Sequence, residues 1–515
     1  MRTGIRPALA LLVALALPAA AAAEADQRPA LKIGVQGNPA LFDPAHAFSN
    51  VAWRVNHNIF DTLIAIDFDA GFALVPGLAT QWRRVDGRTL ELTLREGVRF
   101  HNGDPLTVED VVFTFGPERM SAENAPLRGQ TRPFLGVLEK VEAVDARTVR
   151  FVTSGPDALL EQRLAMFPAQ IVNRRAYLAA TDFQAWGRTA VGTGPFKVAD
   201  SRDNDYVQLV AHDAYWRGRP TARSVRFEVA PEVAGRITGL RTGRFHIVTD
   251  IPPDQLAEVA SSPDLEPVGG PIANNRVLVF DQNHPVLRDR RVRQAIALAV
   301  DRQLIVDTLW GGKVEVPRGN QLPAFGALYI ADWPKPAYDP ERARALLKEA
   351  GYRGEPIEFR SLANYYANEV ATAQVLVEMW KAVGLNVVLQ MRENWTQILE
   401  PTPTRGIRNW SNTMAYPDPV GLAWRLYGAR GPIQGAYKEW TNAEFNSLGL
   451  VLETSVDTAE RKSAWRRMLE IVEREDPPGT VLHQFAIFYG KRKDVLWKPI
   501  PVEYMDLRPA NLAFR

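Results

Sequence analysis

Between residues 89 and 95, Thr89, Glu91, Thr93 and Arg95 alternate with Leu90, Leu92 and Leu94, a period of two that argues for a half-buried strand. Turn signals bracket this run, Asp86-Gly87 before it and Asn102-Gly103-Asp104-Pro105 after it. Thr107 then stands three residues ahead of Asp110 and opens an apolar stretch, the spacing of a capped helix N-terminus. Strand, turn, strand, turn and capped helix in this order fit a small α/β module.

Bulk properties set the scale around that module. A chain of 515 residues is too long for one ordinary core and predicts about three domains. With 46% hydrophobic and 23% charged residues, its composition is globular. The first residues read as an export leader: Arg2 and Arg6 form a basic start, Pro7 to Leu17 an apolar run, and Ala19 to Ala23 offer Ala-x-Ala cleavage sites. The apolar run falls short of the ~20 residues that span a bilayer, and the mature chain is expected to begin near Glu24 or Asp26. The formal net charge of +2 comes from the two leader arginines, so the mature chain is balanced and lacks the basic footprint of a nucleic-acid binder. With no cysteine, disulfides, thiolate chemistry, Cys-ligated metals and a lipidated cysteine are all excluded.

The stretch from residue 76 to 115 carries more than periodicity. Pro76-Gly77-Leu78-Ala79, Trp82, Leu94-Arg95-Glu96-Gly97-Val98-Arg99-Phe100-His101-Asn102-Gly103 and Glu109-Asp110-Val111 resemble a signature of the peptide/nickel-binding proteins of ABC transporters, extracellular solute-binding protein family 5. Val108 departs from it, where that family usually has Ala. Further blocks are similar to the same family: Phe42-Asp43-Pro44 in a first loop, Val191-Gly192-Thr193-Gly194-Pro195-Phe196, Tyr215-Trp216-Arg217-Gly218-Arg219-Pro220, Leu240 to Ile247 with His246 replacing the usual Asp, Val292 to Asp301, and Tyr338 to Tyr352. The glycine run at 192–194 is followed by strand-like residues rather than a helix, so it reads as a tight turn into a strand and not as a phosphate cradle. Asp339, Pro340 and Gly351 punctuate a helix at both ends. Residues 370–383 read as an amphipathic helix, 386–391 as a strand, and 458–475 as a long helix capped by Asp457.

The resemblance implies a two-lobed α/β periplasmic binding protein fold, with a cleft between the lobes and an extra accessory domain in the first lobe. The expected divisions are a signal peptide at 1–25, a first-lobe segment at 26–58, the accessory domain at 59–190, a second first-lobe segment at 191–272, the second lobe at 273–487 and a C-terminal return at 488–515. The chain would cross between lobes near 270–276 and 484–490, and ligand would be enclosed by hinge closure.

The block Asn409 to Pro419, NWSNTMAYPDP, is similar to the family's "W-x-A-D-Y-P-D-P". In peptide binders its first Asp faces the ligand's ammonium, because a buried cation needs a charge partner. Aligned on Tyr416-Pro417-Asp418-Pro419, that position holds Ala415, and Asn412 stands where the Trp belongs, so the chain lacks the family's amine anchor. Candidate ligand contacts are Trp410, Thr413, Tyr416 and Asp418 in this block, with a turn or cap as the competing role for Asp418 and ordinary packing for the aromatics. Position in the implied fold adds Asn38, His46 and Asn50 on the first cleft loop. It also adds Tyr365 and Tyr366 ahead of a second-lobe helix, Arg392 and Trp395 after a strand, and His483 and Phe485 near the second crossing.

No G-x-S-x-G, H-E-x-x-H or G-x-x-x-x-G-K-[ST] occurs, and the seven histidines are dispersed. No catalytic residue, metal site or cofactor is therefore expected. The expectation is a monomeric, periplasmic, solute-binding component that hands a peptide or peptide-like solute to an ABC permease and its ATPase. An oligosaccharide or a nickel or other metal chelate is the alternative within that class, and an exported hydrolase the alternative outside it.

Overall fold

The computed structural model describes residues 26–363 and 365–515; the leader expected at 1–25 lies outside the described residues. A single ten-stranded sheet runs through both lobes of this mixed α/β fold. At one end Ala30–Val35 lies parallel to Ser224–Val229 and to Ile247–Val248, and Tyr206–Ala211 and Phe196–Arg202 extend the edge antiparallel. At the other end Ile357–Leu362 lies between Val387–Arg392 and Arg405–Thr413, parallel to both.

Two long antiparallel strands join these halves, Leu265–Phe280 and Gly479–Arg492. Their first strand has 16 residues, enough to reach about 50 Å at a strand's rise per residue. The ladder between them slips in register from Pro271 to Asn275. Just before the slip Gly269 takes a φ of +102°, and a Cβ there would lie 2.3 Å from the Ile487 carbonyl oxygen. Glycine is the residue that permits both the conformation and the approach, and Pro271 removes a ladder donor next to it.

The accessory unit is a four-stranded antiparallel sheet in the order Ala79–Arg84, Thr89–Leu94, Thr148–Thr153, Leu138–Ala143. Leu90, Leu92 and Leu94 face inward as their alternation demands. The helix Val108–Thr114 begins where Asp110 Oδ2 accepts from the Thr107 N–H at 3.0 Å and its hydroxyl at 2.9 Å. The interior of this unit continues into second-lobe residues Trp424, Trp465 and Leu469, all in one apolar cluster. A buried ion pair seals the contact, Arg163 Nη2 to Glu453 Oε1 at 2.9 Å. The helix Pro340–Ala350 has its Asp339 cap, with Gly351 left-handed at φ +71°. The long helix stops at Glu470 and continues as a π-helical turn, Ile471–Glu475.

The glycines at 192–194 serve a purpose that differs from a turn. Neither has a positive φ. The Gly194 N–H donates to the Ile59 carbonyl at 2.9 Å, and a Cβ on Gly194 would sit 2.6 Å from the Ile59 carbonyl carbon. Close backbone approach is what demands glycine here. Gly194→Ala is expected to lower the unfolding free energy by about 2 kcal/mol through overpacking, read as a lower urea midpoint with an unchanged slope.

Candidate functional site

A cavity of about 530 Å³ opens between the lobes, within the size range of small-molecule sites. Local sequence explains how each wall is set. Ser49 caps the helix Asn50–Asn56, its Oγ accepting from the Ala52 N–H at 3.2 Å, which brings Phe48, Asn50 and Trp53 to the first-lobe wall. The helix Arg128–Leu135 of the accessory unit adds Gln130, Arg132 and Phe134. On the second lobe Tyr365 and Tyr366 precede the helix Glu369–Ala382. Asn394 caps the short helix that starts at Trp395 by accepting from the Gln397 N–H at 3.0 Å. Trp410, Ser411 and Thr413 come from the end of a sheet strand. Arg425, Arg430 and Tyr437 surround two π-helical segments, Val420–Trp424 and Pro432–Ala436.

The lobes touch directly. Tyr365 Oη accepts from the Asn50 N–H at 3.1 Å, and the Arg425 guanidinium lies 5.4 Å from the Phe134 ring centroid. The two walls of the cavity are therefore bridged. The second-lobe wall is a run of edge-to-face rings, Tyr365 to Trp395 at 5.1 Å and Trp395 to Trp410 at 5.0 Å, the geometry aromatic quadrupoles prefer. Tyr366 donates to Ser411 Oγ at 3.1 Å, and the buried Arg276 guanidinium stacks 3.3 Å from its ring centroid. Burial raises the phenol pKa of both tyrosines, so they stay neutral hydrogen-bonding groups.

Of the residues singled out from sequence, Asn50, Tyr365, Tyr366, Trp395, Trp410 and Thr413 line this cavity. The others do not. Asn38 donates to the Phe227 carbonyl at 3.2 Å, and His46 packs edge-on against Phe183. Arg392 pairs with Glu358 Oε1 at 2.6 Å. Tyr416 is buried in the apolar cluster that holds Trp424 and Trp465. Asp418 accepts from the Val420 N–H at 2.9 Å and from Arg461 at 2.7 Å, the turn and ion-pair role. Phe485 stands behind the wall, its ring 5.7 Å from that of Tyr366.

His483 packs against Trp310 with ring centroids 4.8 Å apart. Burial drives the His483 pKa down to about 3, so the folded state holds it neutral while the unfolded chain protonates it near pH 6.5. Its contribution to stability is complete above pH 6.5 and is lost as pH falls from there toward 3. His483→Gln is expected to flatten the acid limb of a stability-versus-pH curve over that window. A limb of unchanged slope would refute the neutral, buried histidine.

The position where the resemblance places the amine anchor does not line the cavity. Ala415 lies past the strand end, its N–H bonded to the Gly421 carbonyl at 2.9 Å, and it is not part of the cavity wall. The strand ends at Thr413, which is the residue of this block that reaches the cavity three positions after Trp410. Both positions lack a carboxylate. Several wall residues carried no sequence signal of their own: Arg132 and Phe134 lie in an otherwise ordinary helix, and Arg425 and Tyr437 lie beyond the block that was read. Phe48 and Trp53 flank the Ser49-Asn50 pair and were within reach of the same loop argument.

Residues 73–432 match the bacterial extracellular solute-binding proteins, family 5 Middle. The chain belongs to that family. A dipeptide-binding protein of Escherichia coli K12 is 25% identical, covering 96% of each chain. Two solved structures show the same fold. The dipeptide binding protein of Pseudoalteromonas sp. SM9913 in complex with Met-Leu has a TM-score of 0.86 at 21% identity, over 94% of this chain and all of that one. NikA of Staphylococcus aureus in complex with Ni(L-His)2 has 0.80 at 17%, over 95% and all of that chain. Family 5 members are solute-binding proteins. In this one the cavity, with Asn50 and Trp53 on one side and Tyr365, Trp395 and Trp410 on the other, is where the two lobes meet.

Proposed function

We propose that this family 5 protein is the periplasmic receptor of an ABC importer and captures a peptide-like solute in the interlobe cavity. The carrying observation is that both lobes wall one cavity of about 530 Å³ and are bridged across it by the Asn50–Tyr365 hydrogen bond. Solute bound there contacts both lobes and shifts the equilibrium to the closed form. The E. coli dipeptide-binding relative and the Met-Leu complex support a ligand of that size and kind. The receptor acts as a monomer, is not lipid-anchored, performs no chemistry on the solute, and passes it to a permease served by an ATPase. Among the described residues no helix is long and apolar enough to cross a membrane, in keeping with a receptor that works beside the permease.

Native mass spectrometry of freshly exported protein tests this reading. A discrete extra mass lost on denaturation, with solution scattering more compact than that of the stripped protein, is expected. The isotope pattern separates a peptide from a nickel chelate. Failure to compact with saturating ligand would remove the closure mechanism, and a bound mass that changes with time would point to a hydrolase.

A further inference from the structure

The charges around the cavity do not balance. Three arginines line it, Arg132, Arg425 and Arg430, and no Asp or Glu does among the described residues. Arg430 is neutralised by Glu453 at 2.5 Å. Arg132 is exposed and makes no ion pair among the described residues. Arg425 has its Nη2 on the Thr413 carbonyl at 2.8 Å and on Asn412 Oδ1 at 3.2 Å. Its Nε reaches the Gly421 carbonyl at 3.4 Å, and Nη1 has no partner among the described residues. Behind the wall, Arg276 is buried without an ion pair among the described residues, its Nη1 also unpartnered there.

Two acids stand near these cations but outside the cavity. Glu503 lies behind Thr413, Oε1 accepting from Thr413 Oγ1 at 2.8 Å and from Asn274 at 2.5 Å, with Oε2 buried and unpartnered. Glu369 accepts from Ser361 Oγ at 3.0 Å and from the Tyr366 N–H at 3.1 Å. Burial raises the pKa of both, which weakens them as counter-charges. A guanidinium held without a counter-ion is costly when sequestered, and a carboxylate arriving with the ligand would supply one through charge-assisted hydrogen bonds. An ammonium would meet no acid on the wall.

We propose that the cavity takes a carboxylate-bearing solute without a free ammonium, its carboxylate on Arg425 and Arg132 and its acyl or aromatic body on the Tyr365–Trp395–Trp410 wall. This deepens the proposed function and rests on the interlobe cavity being the ligand site. N-acylated peptides and simple aromatic carboxylic acids share the required chemistry.

Calorimetric titration of the mature protein with N-acetyl-Leu-Phe, its C-terminal amide, free Leu-Phe and phenylpropanoate tests it. The acetylated acid should bind at least as well as free Leu-Phe and about tenfold or more tighter than the amide, the scale of a hydrogen bond to a charged group. Arg425→Gln, and separately Arg132→Gln on the exposed helix, should shrink that acid-to-amide ratio, a quantity that partial misfolding leaves intact. Phenylpropanoate matching the acetylated acid identifies the source as an organic acid; weaker binding identifies a blocked peptide. A tenfold preference for free Leu-Phe over its acetylated form overturns the inference and leaves the binding cavity standing. Equal affinity for acid and amide, or a ratio unmoved in both variants, does the same. Saturable binding of none of the four at millimolar concentration overturns the inference and the peptide-like reading together.

Discussion

Asp61→Ala is expected to lower the unfolding free energy by about 3 kcal/mol, the lower end of the range for breaking a buried ion pair from one side. The Asp61 carboxylate is buried and gathers four donors from three distant segments. Arg508 Nη2, Thr193 Oγ1 and Trp216 Nε1 each reach it at 3.0 Å, and Tyr215 Oη at 3.2 Å. It thus ties the start of the accessory unit to the 191–196 block, the Tyr-Trp block and the C-terminal return. Burial alone would raise its pKa, but Arg508 and Arg217 outweigh this and hold it below the ordinary value. Asp506 remains beside Arg508 at 3.1 Å, which is why the lower end applies. Equilibrium urea unfolding measures the change. A loss under about 1 kcal/mol, the size of a surface ion pair, would show that the hub contributes little.

Trp395→Ala should weaken ligand binding by about 2–3 kcal/mol, the scale of a central aromatic anchor. Trp395 packs edge-to-face on Tyr365 and Trp410 and more loosely on Tyr366, with ring centroids 5.1, 5.0 and 6.3 Å away. Truncation removes a contact surface and also unseats Tyr365, whose hydroxyl bridges the lobes. Because the indole is only half-buried, the fold should lose less than binding does. Tyr365→Phe keeps the ring and removes only the bridge, so its penalty should be the smaller. Titration of both variants with the solute recovered from the native protein decides this. Equal penalties would mean that the cross-lobe hydrogen bond, and not the aromatic wall, dominates.

Sequence periodicity and punctuation located many elements closely. The alternation at 89–95 became an inward-facing strand, and Asp339 with Gly351 bounded their helix. These signals are local, and local physics suffices for them. The cavity is assembled by tertiary contacts, and there local reading weakened. Asn50, Tyr365 and Trp395 follow turns or caps and reach the wall. Asp418 looked similar, but Arg461, 43 residues away in sequence, claims its carboxylate. Arg132 and Arg425 resemble ordinary helical arginines in one dimension. Only the absence of acids from the cavity wall among the described residues, a property of the folded chain, distinguishes them.

The unbroken sheet has a consequence for selectivity. Because the two joining strands are paired along most of their length, opening the cleft is expected to deform the register slip between Pro271 and Asn275, where residues 272–274 have no partner in the second strand. If closure bends the sheet there, the stiffness of that stretch sets the fraction of molecules already closed, and apparent affinity scales with this fraction for any solute. A substitution there would rescale the whole ligand spectrum by one common factor, leaving the order of preference untouched. Capture strength and solute choice are thus separately adjustable, the first at the sheet's slipped register and the second in the cleft.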